Sequence, residues 1–143
     1  MAEVVKTVLV PYSPQQMFDL VDGVERYPEF LPWCGATRLL HRDAGITRAT
    51  LTIAFRGVQQ SFTTENPKTI PTAMDIRLVE GPFRRLDGSW RFTDLGGQGC
   101  RIEFRLSYEL ASRILDKLIG PVFGHIANTL VEAFIRRAEQ VYG

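Results

Sequence analysis

The chain has 143 residues, enough for one domain, and 45% of them are hydrophobic while 23% are charged, as in ordinary soluble globular proteins. Seventeen Lys and Arg residues nearly balance sixteen Asp and Glu residues. The resulting net charge of +1 excludes a strongly basic nucleic-acid-binding protein, so no DNA partner is expected. A local basic patch is still compatible with this net charge. The supply of aromatic and hydrophobic residues also excludes a disordered chain.

Cysteine and histidine are too few and too scattered to predict a disulfide framework or a metal site. Cys34 and Cys100 form no CxxC motif, and His41 and His125 lie far apart in the sequence. The N-terminal residues lack the pattern of a cleavable signal peptide. The longest uncharged stretch, residues 118–131, is too short to cross a bilayer. We therefore expect a cytoplasmic protein without a metal centre.

The N-terminal part of the chain predicts one strand followed by two short helical segments. Partial alternation over residues 3–10 indicates the strand. Ser13 can cap a helix that has Pro14 at its first position, and Gln16 can complete a capping box. Residues 24–34 contain two prolines within five positions, so only short helical turns are expected there. These turns are predicted to bring four side chains into the core: Tyr27, Phe30, Leu31 and Trp33.

The middle of the chain predicts an antiparallel sheet, and the C-terminal part predicts a long helix. Between residues 36 and 109 the hydrophobic period is two, which indicates about six strands with one buried face and one solvent-facing side. Turn signals separate them at residues 42–45, 56–57, 66–68, 80–82 and 94–97. After residue 110 the period becomes 3.6, and Ser112 can cap a helix that reaches about residue 142. Gly120 and Pro121 predict a kink or a break in this helix. Its predicted apolar stripe comprises Leu115, Leu118, Ile119, Val122, Phe123, Ile126, Leu130, Val131 and Phe134.

These elements predict a single α+β domain over residues 1–143 with a helix-grip layout. A curved antiparallel sheet of about seven strands wraps around the long C-terminal helix, and two short helices follow the first strand. A gap between sheet and helix would be lined by apolar and aromatic groups, as in a site for a lipid-like ligand. The same side chains could instead fill an ordinary core. The candidate lining residues are Leu31, Trp33, Ile53, Phe55, Phe62, Met74, Phe83, Trp90, Phe92, Phe104, Phe123, Ile126, Ala127, Leu130 and Phe134.

One segment carries a specific family resemblance. Residues 22–34, DGVERYPEFLPWC, look like the signature of the START-like coenzyme Q-binding and ribosome association toxin (RatA) family, also labelled oligoketide cyclase/lipid transport proteins. Shorter matching blocks follow in the same order along the chain. They lie at residues 55–57, 81–86, 88–92, 100 and 133–138. One departure is Tyr108-Glu109-Leu110, where the family tends to have Phe-Glu-Phe.

The resemblance implies a START/Bet v 1-like helix-grip fold with a hydrophobic tunnel and no fixed catalytic residues. Some family members are regarded as binders or chaperones of polyprenyl quinones that support respiration. This implies bound ubiquinone or another isoprenoid lipid, no required cofactor, and transient contact with the inner membrane. Another member is described as binding the large ribosomal subunit and blocking subunit joining. The old family label adds a polyketide cyclase as a third, weaker alternative.

Several polar residues have a functional and a structural interpretation. Glu25 and Glu29 could serve acid–base chemistry, but a loop-anchoring role is favoured. Both cysteines are expected to be buried structural thiols, and Asp19 and Asp22 to be surface or capping residues. His125 could bind a quinone carbonyl or could simply lie at the rim of the core. The arginines of the solvent-facing sheet side are expected to form cross-strand ion pairs.

The loop at residues 81–86 is the most distinctive surface feature. Phe83 could insert into a lipid headgroup region while Arg84 and Arg85 contact lipid phosphates, or the two arginines could contact ribosomal RNA. Alternatively, the loop is an ordinary turn with Phe83 folded inward. Because ligand transfer requires access to the tunnel, this loop and the Gly120-Pro121 kink are the candidate mobile lids.

Overall fold

The computed structural model describes residues 2–143 and contains one antiparallel sheet, two α-helices and a 3₁₀ helix. Helix α1 spans Pro14–Asp22, the 3₁₀ helix spans Val24–Glu29, and α2 spans Arg113–Tyr142. Seven strands follow one another as β1 Ala2–Val10, β2 Cys34–Arg42, β3 Ile46–Phe55, β4 Val58–Thr69, β5 Ala73–Glu80, β6 Phe83–Asp94 and β7 Cys100–Leu110.

The strands form an open sheet in the order β1-β7-β6-β5-β4-β3-β2, in which every neighbouring pair is antiparallel. Strands β2 to β7 are a continuous meander, and β1 adds to its far end beside β7. Helix α2 lies across the inner face, where Phe123 packs on Phe62 of β4 and Phe134 packs on Trp90 of β6. The predicted α+β helix-grip fold with about seven strands is therefore confirmed.

The first helix forms as its sequence predicts. Ser13 is the N-cap, and its hydroxyl oxygen accepts a hydrogen bond from the Gln16 amide at 3.1 Å. The Gln16 side chain returns a bond by accepting from the Ser13 amide at 2.9 Å, which completes the capping box. Pro14 occupies the first turn, where its missing N–H costs nothing.

The proline-rich segment after α1 forms the predicted short helical turn, and its side chains cover one end of the core. Tyr27 in the 3₁₀ helix donates its hydroxyl hydrogen to the Val21 carbonyl, and its ring packs edge-on against Phe134 of α2. Phe30 joins the same aromatic cluster and is half-buried, while Leu31 and Trp33 are fully buried. This segment thereby ties α1 to α2 and to the start of β2.

One predicted turn is wrong, because β4 continues through residues 66–68 and reaches Thr69. Asn66 and Pro67 have no partner in β5, but Lys68 resumes that pairing opposite Met74 and its amide bonds the Gly45 carbonyl at 2.9 Å. A proline is tolerated there because it sits at a gap in the ladder, where no N–H is needed. The turn follows at residues 70–72, with a cis Ile70–Pro71 peptide bond.

Two predictions for the long helix are also wrong. Helix α2 runs without a break through Pro121, because buried residues on both sides, such as Ile119 and Val122, hold it against the sheet. Leu118 does not belong to the apolar stripe: its side chain is 64% exposed, on the same side as Ile114, which lies one turn earlier. The buried stripe instead begins with half-buried Leu115 and continues through Ile119.

Candidate ligand-binding cavity

A cavity of about 80 Å³ lies between the inner face of the sheet and the middle of α2. The helical segments around α1 close one side with Val21, Val24 and Tyr27. The sheet wall is built by strands β3 to β7, whose alternating residues point to one face. The sheet residues that line the cavity are Ala49, Leu51, Phe62, Thr64, Asn66, Met74, Ile76, Leu86, Trp90, Phe104 and Leu106.

The structure brings ten of the predicted lining residues together around this cavity. Five come from the sheet and its approach, and five come from α2, where positions three or four apart share one face. They are Trp33, Phe62, Met74, Trp90, Phe104, Phe123, Ile126, Ala127, Leu130 and Phe134.

Five other predicted lining residues lie outside the cavity. Leu31 and Ile53 are buried in the core elsewhere, and Phe92 stacks on the outer side of Trp90 with ring centroids 5.9 Å apart. Phe83 packs against Phe123 at 4.8 Å. Phe55 is half-buried, because it lies next to the β3–β4 turn and stacks on the exposed His125 ring at 5.7 Å.

Sequence reasoning missed the contribution of the helical segments and of Asn66. Val21, Val24 and Tyr27 face the cavity because α1 and the 3₁₀ helix cross its end, and no local pattern shows that crossing. The sequence predicts a turn at Asn66, but the period of two that places Phe62 and Thr64 inward continues to this residue, which lies on β4.

Seven of the twenty side chains that line the cavity are aromatic. The Trp90 ring lies 4.5 Å from Phe104 and 5.5 Å from Phe134, centroid to centroid, and Phe123 packs edge-on against Phe62. Such pairs contribute stability beyond their buried area and present flat apolar faces. The wall is therefore suited to a planar or chain-like hydrophobic ligand.

Two polar side chains in this wall differ in how their hydrogen-bonding groups are satisfied. The Tyr27 hydroxyl bonds the Val21 carbonyl, and burial raises the pKa of Tyr27 far above its usual range, so the hydroxyl stays neutral. Asn66 donates weakly from Nδ2 to the Met74 sulfur at 3.7 Å, while its Oδ1 is buried without a hydrogen-bond partner in the chain.

A buried ion pair fastens the helical side of the cavity to the sheet. Lys68 of β4 is 1% exposed, and its Nζ lies 3.0 Å from the Asp22 carboxylate and 2.9 Å from the Thr47 hydroxyl. Thr47 in turn donates to Asp22 at 2.7 Å. The prediction that Asp22 is a surface or capping residue is wrong, because strands β3 and β4 cover it with these two partners.

Glu25 and Glu29 have the predicted anchoring role. Arg42 of β2 bonds both carboxylate oxygens of Glu25, at 2.6 and 2.9 Å, and this pairing lowers the pKa of Glu25 from 4.5 to about 2. Arg137 of α2 bonds Glu29 at 2.7 Å. The 3₁₀ helix is thus tied to β2 and to α2 by charge pairs.

Both cysteines are buried, as predicted for structural thiols. Burial raises the pKa of Cys34 and of Cys100 to about 11 in each case. The Cys34 thiol also donates to the Ala36 carbonyl at 3.5 Å. Neither thiol is activated as a nucleophile, because activation requires a lowered pKa.

Of the predicted loop at residues 81–86, only Gly81 and Pro82 lie between strands, and Phe83 begins β6 in the inward alternative. Phe83 is only 6% exposed and packs edge-on against Phe62 and Phe123, so the prediction that it inserts into a headgroup region is wrong. Arg84 and Arg85 remain more than half exposed. Arg84 pairs with Glu109 at 3.2 Å and donates to the Ala111 carbonyl at 3.3 Å.

The solvent-facing side of the sheet carries the predicted cross-strand pairs. Arg91 of β6 contacts Asp75 of β5 at 3.0 Å, and Arg105 of β7 lies 3.6 Å from Asp87 of β6. These acids partly offset the positive charge of that side.

Within residues 2–143, no group of three or more His, Cys, Asp or Glu side chains is arranged to hold a metal ion. By length and composition alone α2 could span a membrane, because it contains an 18-residue stretch of sufficient hydropathy with few charges. Its buried side is accounted for by packing against the sheet, as in the core helix of a folded domain.

A sheet that grips a long C-terminal helix over an apolar cavity defines a START-like helix-grip fold. A START superfamily protein from Mycobacterium smegmatis superposes with a TM-score of 0.77 at 22% identity, covering 97% of this chain and 98% of that one. An 18 kDa protein from Caulobacter crescentus superposes at 0.75 with 31% identity over 100% and 99% of the two chains. The Zhui aromatase/cyclase from a Streptomyces species gives 0.81 at 15% identity, covering 99% and 96%.

Residues 10–135 match the family described as polyketide cyclase/dehydrase and lipid transport, and the chain belongs to this family. A ribosome association toxin RatA from Pseudomonas aeruginosa is 41% identical over 96% of each chain, and RatA from Escherichia coli K12 is 40% identical over 99% of this chain and 90% of its own. The mitochondrial coenzyme Q-binding protein COQ10 homolog B from Xenopus laevis is 33% identical over 92% of this chain and 56% of its own. The resemblance stated from residues 22–34 is confirmed.

Proposed function

We propose that this protein binds an isoprenoid quinone of the ubiquinone type, or a related lipid, in the cavity under α2 and supports its delivery to the respiratory chain. The observation that carries the proposal is the wall of aromatic and aliphatic side chains that the sheet and α2 close around one cavity. A coenzyme Q-binding relative with the same domain supports the choice of ligand. The protein would act in the cytoplasm, at the surface of the inner membrane.

The proposal requires the cavity to expand when ligand binds. Its volume of about 80 Å³ is below the roughly 300–1,000 Å³ of typical small-molecule sites. Expansion is easiest where backbone bonding is weakest, and Pro121 removes one hydrogen bond from α2 just before the cavity-lining residues begin. Movement of the first turns of α2, residues 113–120, would open the cavity at that end.

The same first turns offer a surface suited to a membrane. Ile114 and Leu118 are exposed by 71% and 64%, and they lie one turn apart on the same side of α2. Arg113 and Lys117 precede each of them and supply positive charge. An apolar pair flanked by basic residues matches the boundary between acyl chains and anionic headgroups. This surface takes the place of Phe83, which is buried.

The chemistry of the cavity favours binding over catalysis. Among the described residues, those that line the cavity include no Asp, Glu, Lys, Arg, His or Cys. Acid–base and nucleophilic mechanisms both need such groups at the reacting atoms. A cyclase mechanism would have only the Tyr27 and Thr64 hydroxyls and the Asn66 amide available, and the Tyr27 hydroxyl is already bonded to a backbone carbonyl. We therefore propose a carrier without enzymatic activity.

The test is extraction of the protein purified from its host. Organic extracts analysed by mass spectrometry are expected to contain quinone or another isoprenoid lipid in stoichiometric amount, relative to a mock purification from the same cells. Purified apoprotein should then bind added quinone. Absence of lipid from the extract together with no binding on addition overturns the proposal.

A second candidate function is association with the large ribosomal subunit. Two relatives that are 40–41% identical over nearly the whole chain carry the name ribosome association toxin, and this observation favours the candidate. The exposed guanidinium groups of Arg84 and Arg85 are the contacts proposed for RNA phosphates.

Co-sedimentation with purified large subunits tests this candidate. Binding should weaken with rising salt and should fall for Arg84→Glu and Arg85→Glu. Arg101→Glu, a change of the same charge on the exposed side of β7, serves as the matched control. Normal subunit joining in the presence of excess protein contradicts this function.

A further inference from the structure

Asn66 is a polar side chain in a wall that is otherwise almost entirely apolar. It lies on β4, two residues after Thr64, and both residues line the cavity. In the part of the chain that the structure describes, its Oδ1 is the buried side-chain oxygen or nitrogen atom with no hydrogen-bond partner. Buried acceptors are rarely left unpaired, because the loss of hydration is then not compensated. Asn66 itself lines the cavity, so a ligand bound there could supply the missing partner.

The orientation of the Asn66 amide determines what that partner must be. Its Nδ2 lies 3.7 Å from the Met74 sulfur, which is a weak acceptor. If the amide turned over, its oxygen would face the sulfur and two acceptors would oppose each other. The Met74 contact therefore takes one of the two Nδ2 hydrogens and fixes the amide orientation in which the oxygen is the unpaired acceptor. A free acceptor selects a ligand atom that donates a hydrogen.

We infer that the cavity prefers a ligand with a hydroxyl head, so that within the quinone class it takes the reduced hydroquinone in preference to the oxidised quinone. This inference rests on the proposed function and specifies its ligand. The hydroquinone carries two O–H donors on its ring, whereas the quinone carries only carbonyl acceptors. Bound quinone would leave Asn66 Oδ1 without a hydrogen-bond donor and would place a second acceptor, the quinone carbonyl, next to it.

The expected preference for hydroquinone over quinone follows from how apolar cavities with one buried polar group distinguish ligands. Apolar walls distinguish ligands of the same shape poorly, whereas a buried polar group left unpaired penalises the wrong ligand strongly. One uncharged hydrogen bond gained or lost in this cavity is expected to change affinity by about tenfold, equivalent to about 1.4 kcal/mol. The aromatic contacts with the ring are the same for both redox forms.

The test is isothermal titration calorimetry under nitrogen with a benzoquinone carrying one short isoprenoid tail and with its hydroquinone. The wild-type protein is expected to bind the hydroquinone about tenfold more tightly. Asn66→Leu keeps the approximate shape but removes the acceptor, so both forms should bind it equally. This variant is expected to fold, because it deletes an unpaired buried acceptor.

Met74→Leu is the matched variant that separates the orientation of the amide from its presence. It preserves volume but removes the sulfur that occupies Nδ2, so the amide can turn and donate to a carbonyl. The preference for hydroquinone is expected to shrink while binding of the quinone improves.

The outcomes distinguish this inference from the function on which it rests. Equal binding of both forms by the wild type, or a preference that survives in Asn66→Leu, overturns the hydroxyl preference and leaves quinone binding intact. That result would mean that water alone satisfies Oδ1. Binding of neither form overturns the proposed function and the inference with it.

Discussion

Filling the cavity from α2 should stabilise the protein and abolish ligand binding together. Ala127 lines the cavity and is 1% exposed, so Ala127→Leu adds three carbon atoms directly into the void. A cavity of about 80 Å³ costs about 2 kcal/mol at roughly 24 cal/mol per Å³, and this is the largest gain that filling can give. For a chain of this size such a gain raises the unfolding temperature by roughly 4–8 °C.

Equilibrium unfolding in urea without ligand measures the gain, and titration with quinone measures the loss of binding. Ala138→Leu is the matched control, because Ala138 is fully buried on the same helix but does not line the cavity. Leucine there overpacks the core and should destabilise the protein by about 1–3 kcal/mol. Equal destabilisation by both substitutions would refute the existence of fillable space beside Ala127. Stabilisation with unchanged quinone affinity would show that the ligand binds elsewhere.

Three further predictions concern the charges and thiols around the cavity. Lys68→Met removes the buried partner of the Asp22 carboxylate but leaves Arg42 3.6 Å from it, so the free energy of unfolding, measured in urea, should fall by about 1–3 kcal/mol, part of which Asp22→Asn restores in the double variant. Arg42 lowers the pKa of Glu25 from 4.5 to about 2, so the pair stabilises the fold fully above pH 4.5 and this contribution disappears as the pH falls toward 2. In an acid titration, Arg42→Gln should lose that part of the pH dependence. Because burial raises the pKa of both cysteines to about 11, a thiol reagent at pH 8 should modify them only after denaturation.

Each of these predictions has a result that contradicts it. A loss below about 1 kcal/mol for Lys68→Met would mean that water reaches the Asp22 carboxylate and screens it. If the acid titration of Arg42→Gln superposes on that of the wild type between pH 2 and 4.5, Arg42 is not the cause of the lowered pKa of Glu25. Rapid labelling of either thiol in the folded protein would show that its burial is lost by local opening.

Much of the fold could be predicted because hydrophobic period and burial are directly related. A period of two fixes which residues of a strand face inward, so Phe62, Met74, Trp90 and Phe104 could all be assigned to the interior from sequence. Helix caps are equally local, and the Ser13 capping box forms as expected. In both cases the deciding contacts lie within a few residues of each other.

Other features depend on contacts between distant residues and leave no local signal. Lys68 meets Asp22 across 46 positions, and this buried pair helps hold residues 66–68 in a strand despite the turn-forming Pro67. Phe83 turns inward because Phe123 of α2 offers a packing surface, which its neighbouring arginines do not reveal. The free oxygen of Asn66 could not be predicted either, since it depends on where Met74 lies.

The position of β1 has a consequence for how the chain folds. Its pairing with β7 joins Ala2 to Tyr108 and Val10 to Cys100, so this ladder closes over nearly the whole intervening sheet sequence. Contacts between such distant residues are slow to form, because the entropy of closing the intervening loop is lost before any bond is gained. The meander β2–β7 can assemble from local hairpins. Its apolar face then stays exposed until β1 pairs with β7 and α2 packs on the sheet. The surface that becomes the cavity is therefore exposed longest during folding, when uncovered apolar surface favours aggregation.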